Sequence, residues 1–111
     1  MTQRILVVNP NSNERVTGEI AAALACLRLP NGPVIDCATL AEGPPGIETQ
    51  VHVDTVVEPL LRLAKRESNG TSALVIACFS DPGLHSLREA LDMPVFGIAE
   101  SGFSLALTKG D

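Results

Sequence analysis

The sequence predicts an α/β fold, in which three α/β/α layers are built on a four-stranded parallel sheet in the order 2-1-3-4. The first observation is four short apolar runs, near residues 4–8, 34–39, 73–78 and 95–98, which are rich in strand formers and too short for helices. The second is that a helical pattern or a helix-capping sequence follows each run. Such alternation implies parallel strands joined by right-handed crossovers, with helices on both faces. The 111 residues suffice for one domain with a single core.

The first strand ends at Asn9-Pro10-Asn11-Ser12. Pro10 blocks further strand pairing, and Asn11 or Ser12 is predicted to cap the next helix, with Glu14 completing a capping box. Apolar residues then recur at helical spacing and predict an amphipathic helix over about 13–28, namely Val16, Ile20, Leu24 and Leu27. Cys26 lies beside this stripe, and we interpret it as a packing residue.

A rigid loop follows the second predicted strand. Cys37 lies inside that strand, which indicates a core position. The loop over 40–50 contains Gly43-Pro44-Pro45-Gly46 and shows no periodicity. Residues 51–58 are predicted to form a separate helical turn or two. Pro59 suits the first position of a helix that runs to about Ser68.

The third strand ends at Cys78. Asp81 is predicted to be the N-cap of the following helix and Pro82 its first residue, so that Cys78 would lie where a helix dipole favours a thiolate. After the fourth strand, Ser101 is predicted to cap a last helix that runs through Leu107. Gly110 suits the end of that helix.

All four strand ends fall on one rim of a parallel sheet, where ligands bind in open α/β folds. The segments brought together there are Asn9–Ser12, the loop over 40–50, Cys78–Asp81 and Glu100–Ser101. We therefore expect Asn9, Cys78 and Glu100 to lie around a shared depression.

Composition excludes several classes of function. The net charge of −5 argues against a basic patch of the kind that binds nucleic acid. No polybasic segment, and no amphipathic segment of the basic kind that binds membrane surfaces, is present, and no stretch is long enough to span a bilayer. No GxGxxG or GxxxxGK[ST] motif supports nucleotide binding.

Cysteine and histidine usage predicts no metal site. The three cysteines lie far apart without zinc-type spacing. Their odd number and the lack of a secretory signal favour a reducing, cytoplasmic setting. His52 and His85 have no partner in the sequence, so we expect both at the surface.

Four blocks at the rim resemble the Asp/Glu/hydantoin racemase family, in particular its hydantoin and allantoin racemases. They are Ile5-Leu-Val-Val-Asn-Pro-Asn-Ser12, Gly43-Pro-Pro-Gly-Ile-Glu48, Ala77-Cys-Phe-Ser-Asp-Pro-Gly-Leu84 and Pro94-Val-Phe-Gly-Ile-Ala-Glu100. They follow one another in the family's order and spacing. The resemblance implies a cofactor-independent enzyme that inverts a carbon next to a carbonyl. In such an enzyme one thiolate removes the proton and a second thiol returns one from the other face.

The resemblance assigns roles residue by residue. Cys78 matches the first acid/base cysteine, and Ser80 stands where the family often has glycine. The N–H groups of Phe79 and Ser80 could hold the oxygen that becomes enolate-like. Further candidates for contact with a small-molecule substrate are Asn9, Asn11, Ser12, Glu48 and Glu100.

The family's second cysteine belongs to a later Gly-Cys block in a second α/β domain, and this sequence has no such block. The chain therefore resembles the N-terminal half of a two-domain racemase. Cys26 and Cys37 cannot replace the second thiol, because one is predicted within a helix and the other within a strand. We expect apolar surface to be exposed along Phe103–Leu107, and the chain to self-associate or to require a second domain.

Two other functions remain open. One is a decarboxylase or isomerase on the same scaffold, although the working cysteine of arylmalonate decarboxylases resembles the one that this chain lacks. The other is a flavodoxin-like binding domain without catalysis. A fast-reacting Cys78 thiol would favour an enzyme, and a buried inert thiol would favour the binding domain.

Overall fold

Four strands lie side by side in one parallel sheet. The computed structural model describes residues 2–110, and its strands are β1 (Arg4–Asn9), β2 (Val34–Thr39), β3 (Ala73–Ile76) and β4 (Val95–Gly97). The order across the sheet is β2-β1-β3-β4, and every neighbouring pair is parallel. The predicted α/β class and strand order are therefore confirmed.

The helices follow the strands in the expected alternation. They are α1 (Glu14–Ala23), α2 (Gln50–Thr55), α3 (Val57–Arg66), α4 (Leu84–Ala90) and α5 (Ile98–Lys109), and a 3₁₀ turn over Ala25–Leu27 extends α1. The predicted short helix before Pro59 is present as α2. Pro59 itself is the third residue of α3 rather than the first. This position is still in the first turn, where an N–H has no helical partner.

One face of the sheet carries the core. Alternate strand residues point to it, as the two-residue period of a strand requires: Leu6, Val8, Leu74, Ile76 and Val95. They pack against the buried sides of α3 and α4, which are supplied by Leu60, Leu63, Ala64, Leu84 and Leu87. This packing fixes the positions of the strands, and hence of the loops at the rim.

The opposite face is only partly covered. It is flanked by α1, none of whose residues is buried, and Phe96 on β4 is 44% exposed. From Glu100 to Gly110 every residue is exposed, although α5 contains Phe103, Leu105 and Leu107. The expectation of an exposed apolar surface over Phe103–Leu107 is confirmed.

Two details of the first crossover differ from the prediction. The N-cap of α1 is Asn13, whose side chain accepts a hydrogen bond from Arg15 N–H, rather than Asn11 or Ser12. The earlier residues are used to turn the chain, because Asn11 Oδ1 accepts from Asn13 N–H at 2.9 Å. Cys26 is exposed on the 3₁₀ turn, so its assignment to packing is wrong.

The start sites of α4 and α5 also differ from the prediction. Asp81 has a positive φ of 46° and does not cap its own helix, which begins after Gly83. Its carboxylate instead accepts from the N–H groups of Ala99 and Glu100, at 3.0 and 2.8 Å. Because Asp81 supplies this cap from another segment, α5 begins at Ile98 and Ser101 lies inside it. No helix within residues 2–110 is both long enough and apolar enough to cross a bilayer.

Candidate functional site

The rim holds the candidate residues because the strands are parallel. Asn9 is the last residue of β1, Cys78 follows β3 by two residues, and Glu100 lies in the first turn of α5, directly after β4. The three residues therefore lie at the same edge of the sheet, as expected. Their side chains, however, point into different surroundings.

Asn9 is buried and its amide is fully engaged within the rim. Its Nδ2 donates to Asn11 Oδ1 at 2.8 Å and to Thr17 Oγ1 at 3.0 Å, and its Oδ1 accepts from Asn11 N–H at 3.2 Å. Thr17 in turn lies 2.6 Å from Thr39 Oγ1, at the end of β2. These contacts lock the loop after β1 to α1 and β2. Asn9 therefore orders the rim, and within residues 2–110 the Asn11 amide nitrogen donates to no protein acceptor.

The loop after β2 closes over the loop after β1. Ser12 N–H donates to Pro44 O at 2.9 Å. A Cβ added to Gly43 would overlap the carbonyl of Pro10, so this close approach requires glycine. Ser12 is half-buried beside this contact, and Glu48 is exposed farther along the loop.

Cys78 lies on a turn rather than at a helix start. Asp81 N–H donates to Cys78 O at 3.0 Å, and α4 begins only at Leu84. The predicted helix N-terminus beside the thiol is therefore wrong. The Cys78 sulfur lies 3.3 Å from Ser80 Oγ. Within residues 2–110, the N–H groups of Phe79 and Ser80 donate to no protein acceptor and remain available to a ligand.

An apolar cleft runs from Cys78 along the partly covered face of the sheet. Its volume is about 530 Å³, and its lining includes Val16, Ile20, Val75, Phe79 and Ile98. Phe79 is 82% exposed at its mouth. Neither Asn9 nor Glu100 belongs to this lining, so the expected shared depression around all three residues is not formed by the described part of the chain.

Glu100 is held by an arginine. Arg88 donates from both terminal nitrogens to the Glu100 carboxylate, at 3.0 and 2.5 Å, and from Nε to Val95 O at 2.9 Å. The Arg88 hydrogen bond, followed by the charge of the same guanidinium, lowers the pKa of Glu100 below its ordinary value. Glu100 is thus ionised at neutral pH and tied to α4.

The other two cysteines lie away from the rim. Cys37 is in the middle of β2, and Cys26 is near the far end of α1, which starts at the rim and runs to the opposite edge. Within residues 2–110, Cys78 is therefore the single thiol at the rim. No group of three or more His, Cys, Asp or Glu side chains in this range is placed to hold a metal ion.

Comparison with known proteins decides the family. The family model of the Asp/Glu/hydantoin racemases matches residues 5–111. The chain belongs to the Asp/Glu/hydantoin racemase family. It is 35% identical over 105 residues to a hydantoin racemase of Paenarthrobacter aurescens, a match that covers 93% of this chain and 44% of that protein. A hydantoin racemase of Pseudomonas sp. strain NS671 is 36% identical over 107 residues, covering 93% and 41%.

Solved racemase structures share the fold. The allantoin racemase from Klebsiella pneumoniae superposes with a TM-score of 0.88 at 33% identity, covering 96% of this chain and 44% of that one. The allantoin racemase from Pseudomonas fluorescens superposes with a TM-score of 0.86 at 25% identity, covering 96% and 45%. This chain thus spans less than half the length of the relatives that it matches.

Proposed function

We propose that this chain supplies one acid/base thiol, Cys78, to a cofactor-independent racemase that acts on a hydantoin- or allantoin-type substrate. The observation that carries the proposal is the position of Cys78, at the rim of the sheet and at the head of the apolar cleft. The family resemblance supports the thiol chemistry. Substrate, activity and partners all belong to this proposal.

In the proposed reaction the Cys78 thiolate removes a proton from a carbon next to a carbonyl. The electron pair moves toward the carbonyl oxygen, which becomes enolate-like, and the sulfur becomes a neutral thiol. The unpaired N–H groups of Phe79 and Ser80 are suited to stabilise that oxygen, because fixed backbone dipoles act without reorganising. The hydroxyl of Ser80 can also donate to the sulfur across their 3.3 Å contact.

The remaining candidates are assigned to substrate contact or to ordering the site. Asn11 and Ser12 present an amide nitrogen and a hydroxyl beside the loop after β2, and both suit an imide or a ureido group. Glu48 is exposed and can turn toward a ligand N–H. Asn9 and Glu100 are proposed to hold the rim in shape, because their side chains are already engaged.

Inversion requires a second proton donor on the opposite face of the substrate. Residues 2–110 place one thiol at the rim, and the proposal is that the second donor comes from outside this range. We expect this chain alone to abstract and return a proton on one face only. Such a half-site exchanges the Cα proton of one enantiomer with solvent, and it does not racemise.

The test is polarimetry together with proton NMR in deuterated water, on allantoin or a 5-substituted hydantoin. We expect no racemisation above the spontaneous rate, and slow exchange of one enantiomer that increases with pH as the thiolate forms. Exchange should vanish in Cys78→Ala and persist in Cys26→Ala, which removes a thiol far from the rim. Racemisation by this chain would refute the half-site, and exchange that persists in Cys78→Ala would refute the role of Cys78.

A further inference from the structure

His52 accepts hydrogen bonds from the backbone of the loop that precedes α2. Its Nδ1 accepts hydrogen bonds from the backbone N–H groups of Glu48, at 3.0 Å, and of Thr49, at 3.3 Å. In return, Thr49 Oγ1 accepts from His52 N–H at 3.1 Å. His52 is thus near the surface, as expected, but it has hydrogen-bond partners that the sequence did not indicate. The side chain is half-buried and closes a capping box at the start of α2.

This capping box depends on the protonation state of an imidazole. Nδ1 can accept only while it carries a lone pair, which requires a neutral ring with its proton on Nε2. The residue usually found at this position is glutamate or glutamine, whose oxygen still accepts at pH values where histidine has become protonated. A histidine ordinarily titrates near pH 6.5, about two units above a glutamate. Once protonated, Nδ1–H would face two N–H donors.

We propose that His52 is a pH-responsive latch for the end of the loop that carries Glu48. The neutral imidazole holds Glu48 and Thr49 against α2, and protonation releases both backbone N–H groups. The loop remains anchored at its other end, where Ser12 N–H donates to Pro44 O and Gly43 packs against Pro10. Release is therefore confined to the residues between Gly46 and Gln50. Its consequence for substrate contact rests on the proposed function, whereas the latch itself does not.

Among side-chain types, carboxylic acids, lysine and arginine have reference pKa values outside the range of about pH 5 to 8, whereas that of histidine lies inside it. The other ionisable residues on the adjoining loop, α2 and α3 are all of the former types: Glu42, Glu48, Asp54, Glu58, Arg62, Lys65 and Arg66. Two of the acids have partners. Asp54 Oδ1 accepts from Gln50 at 3.0 Å, and Glu42 pairs with Arg62 at 3.3 Å.

The test measures solvent exchange of the Glu48 and Thr49 amides by NMR at about pH 7.5 and 5, corrected for intrinsic rates. In the wild-type chain we expect protection of both amides to fall about five- to tenfold at the lower pH, as the loss of one hydrogen bond each implies. His52→Gln keeps an acceptor in the capping box at both pH values. Its protection should therefore be independent of pH. His52→Ala should lack the protection throughout.

Two internal controls separate the latch from general acid sensitivity. Amides of β1, over Leu6–Val8, should keep their protection, and His85→Gln should respond to pH as the wild type does. Equal protection of Glu48 at both pH values in the wild type would overturn the proposal. So would a wild-type pH response in His52→Gln, or an equal loss in β1. None of these outcomes bears on Cys78, so failure of the latch and failure of the proposed reaction are distinguishable.

Discussion

Asp81 shows how much a single side chain contributes at the rim. Its carboxylate caps the backbone of α5, while its own N–H donates to the carbonyl of Cys78. The turn that carries the thiol and the helix that carries Glu100 are therefore joined through one residue. Its positive φ of 46° is a conformation that Asp and Asn adopt more readily than most other residues.

Replacing Arg88 by glutamine should release Glu100 and raise the pKa of its carboxyl toward the ordinary value of 4.5. The sign follows from linkage. A carboxyl whose folded pKa is lowered stabilises the protein above its unfolded pKa, and this stabilisation is lost as pH falls through the folded value. Carboxyl carbon NMR titration of wild type and Arg88→Gln would measure the shift.

A second ion-paired carboxylate serves as an internal control for this titration. Glu19, which pairs with Arg15 on the exposed surface of α1, is the carboxylate used for this comparison, because the substitution does not touch that pair. High salt should weaken the effect on Glu100, because screening acts on exposed pairs. If Glu100 titrates at the same pH in the variant, the arginine contact does not control it.

Among the elements, α5 depends on a glycine that precedes it. Gly97 has no side chain, and the Asp81 carboxylate occupies the space that a Cβ would fill. The helix N-terminus could not receive this cap beside a larger residue. The opposite case is Gly18 in α1, where an added Cβ meets nothing within 4 Å.

These two glycines predict opposite effects of the same substitution. Gly97→Ala should lower the free energy of unfolding by about 1–3 kcal/mol, because the carboxylate must move and two N–H groups lose their acceptor. Gly18→Ala should raise it by about 0.5–1 kcal/mol, because alanine restricts the unfolded chain and favours a helix interior. Urea unfolding followed by circular dichroism would measure both. A stabilised Gly97→Ala would contradict the capping role of Asp81.

At the scale of the whole molecule, the two faces of the sheet differ in how far helices cover them. On one face α3 and α4 pack over the core. The other face is flanked by α1, and the apolar residues of α5 are exposed. Phe103, Leu105 and Leu107 are 73%, 62% and 82% exposed. An apolar surface of this kind is typical of an interface.

The chain alone should therefore associate with itself. We expect light scattering coupled to gel filtration to show an apparent mass above 11.6 kDa that increases with concentration. The double change Phe103→Ser and Leu107→Ser should shift the distribution toward the monomer, because it removes exposed apolar area. Leu29→Ser is the control, since Leu29 is 67% exposed but lies outside α5. A concentration-independent monomer of the wild type would count against association through α5.

The sequence alone determined the fold class, the strand order and the edge at which the candidate residues lie. Those features follow from local patterns, because short apolar runs alternating with helical segments leave few parallel arrangements. The placement of Asn9, Cys78 and Glu100 at one rim followed from the same rule. The capping box of α2 has a Thr-x-x-His pattern, which lacks the Glu or Gln that usually marks such a box in a sequence.

Tertiary structure decided which partner each polar side chain takes. Asp81 is a residue type that commonly caps the helix that follows it. In the fold, however, the end of β4 brings α5 within reach of its carboxylate, and Gly97 leaves space for that carboxylate. Arg88 and Glu100 are twelve residues apart and meet only because α4 and α5 start at the same rim. Such pairings depend on distances across the sheet, and the periodicity of a single segment carries no information about them.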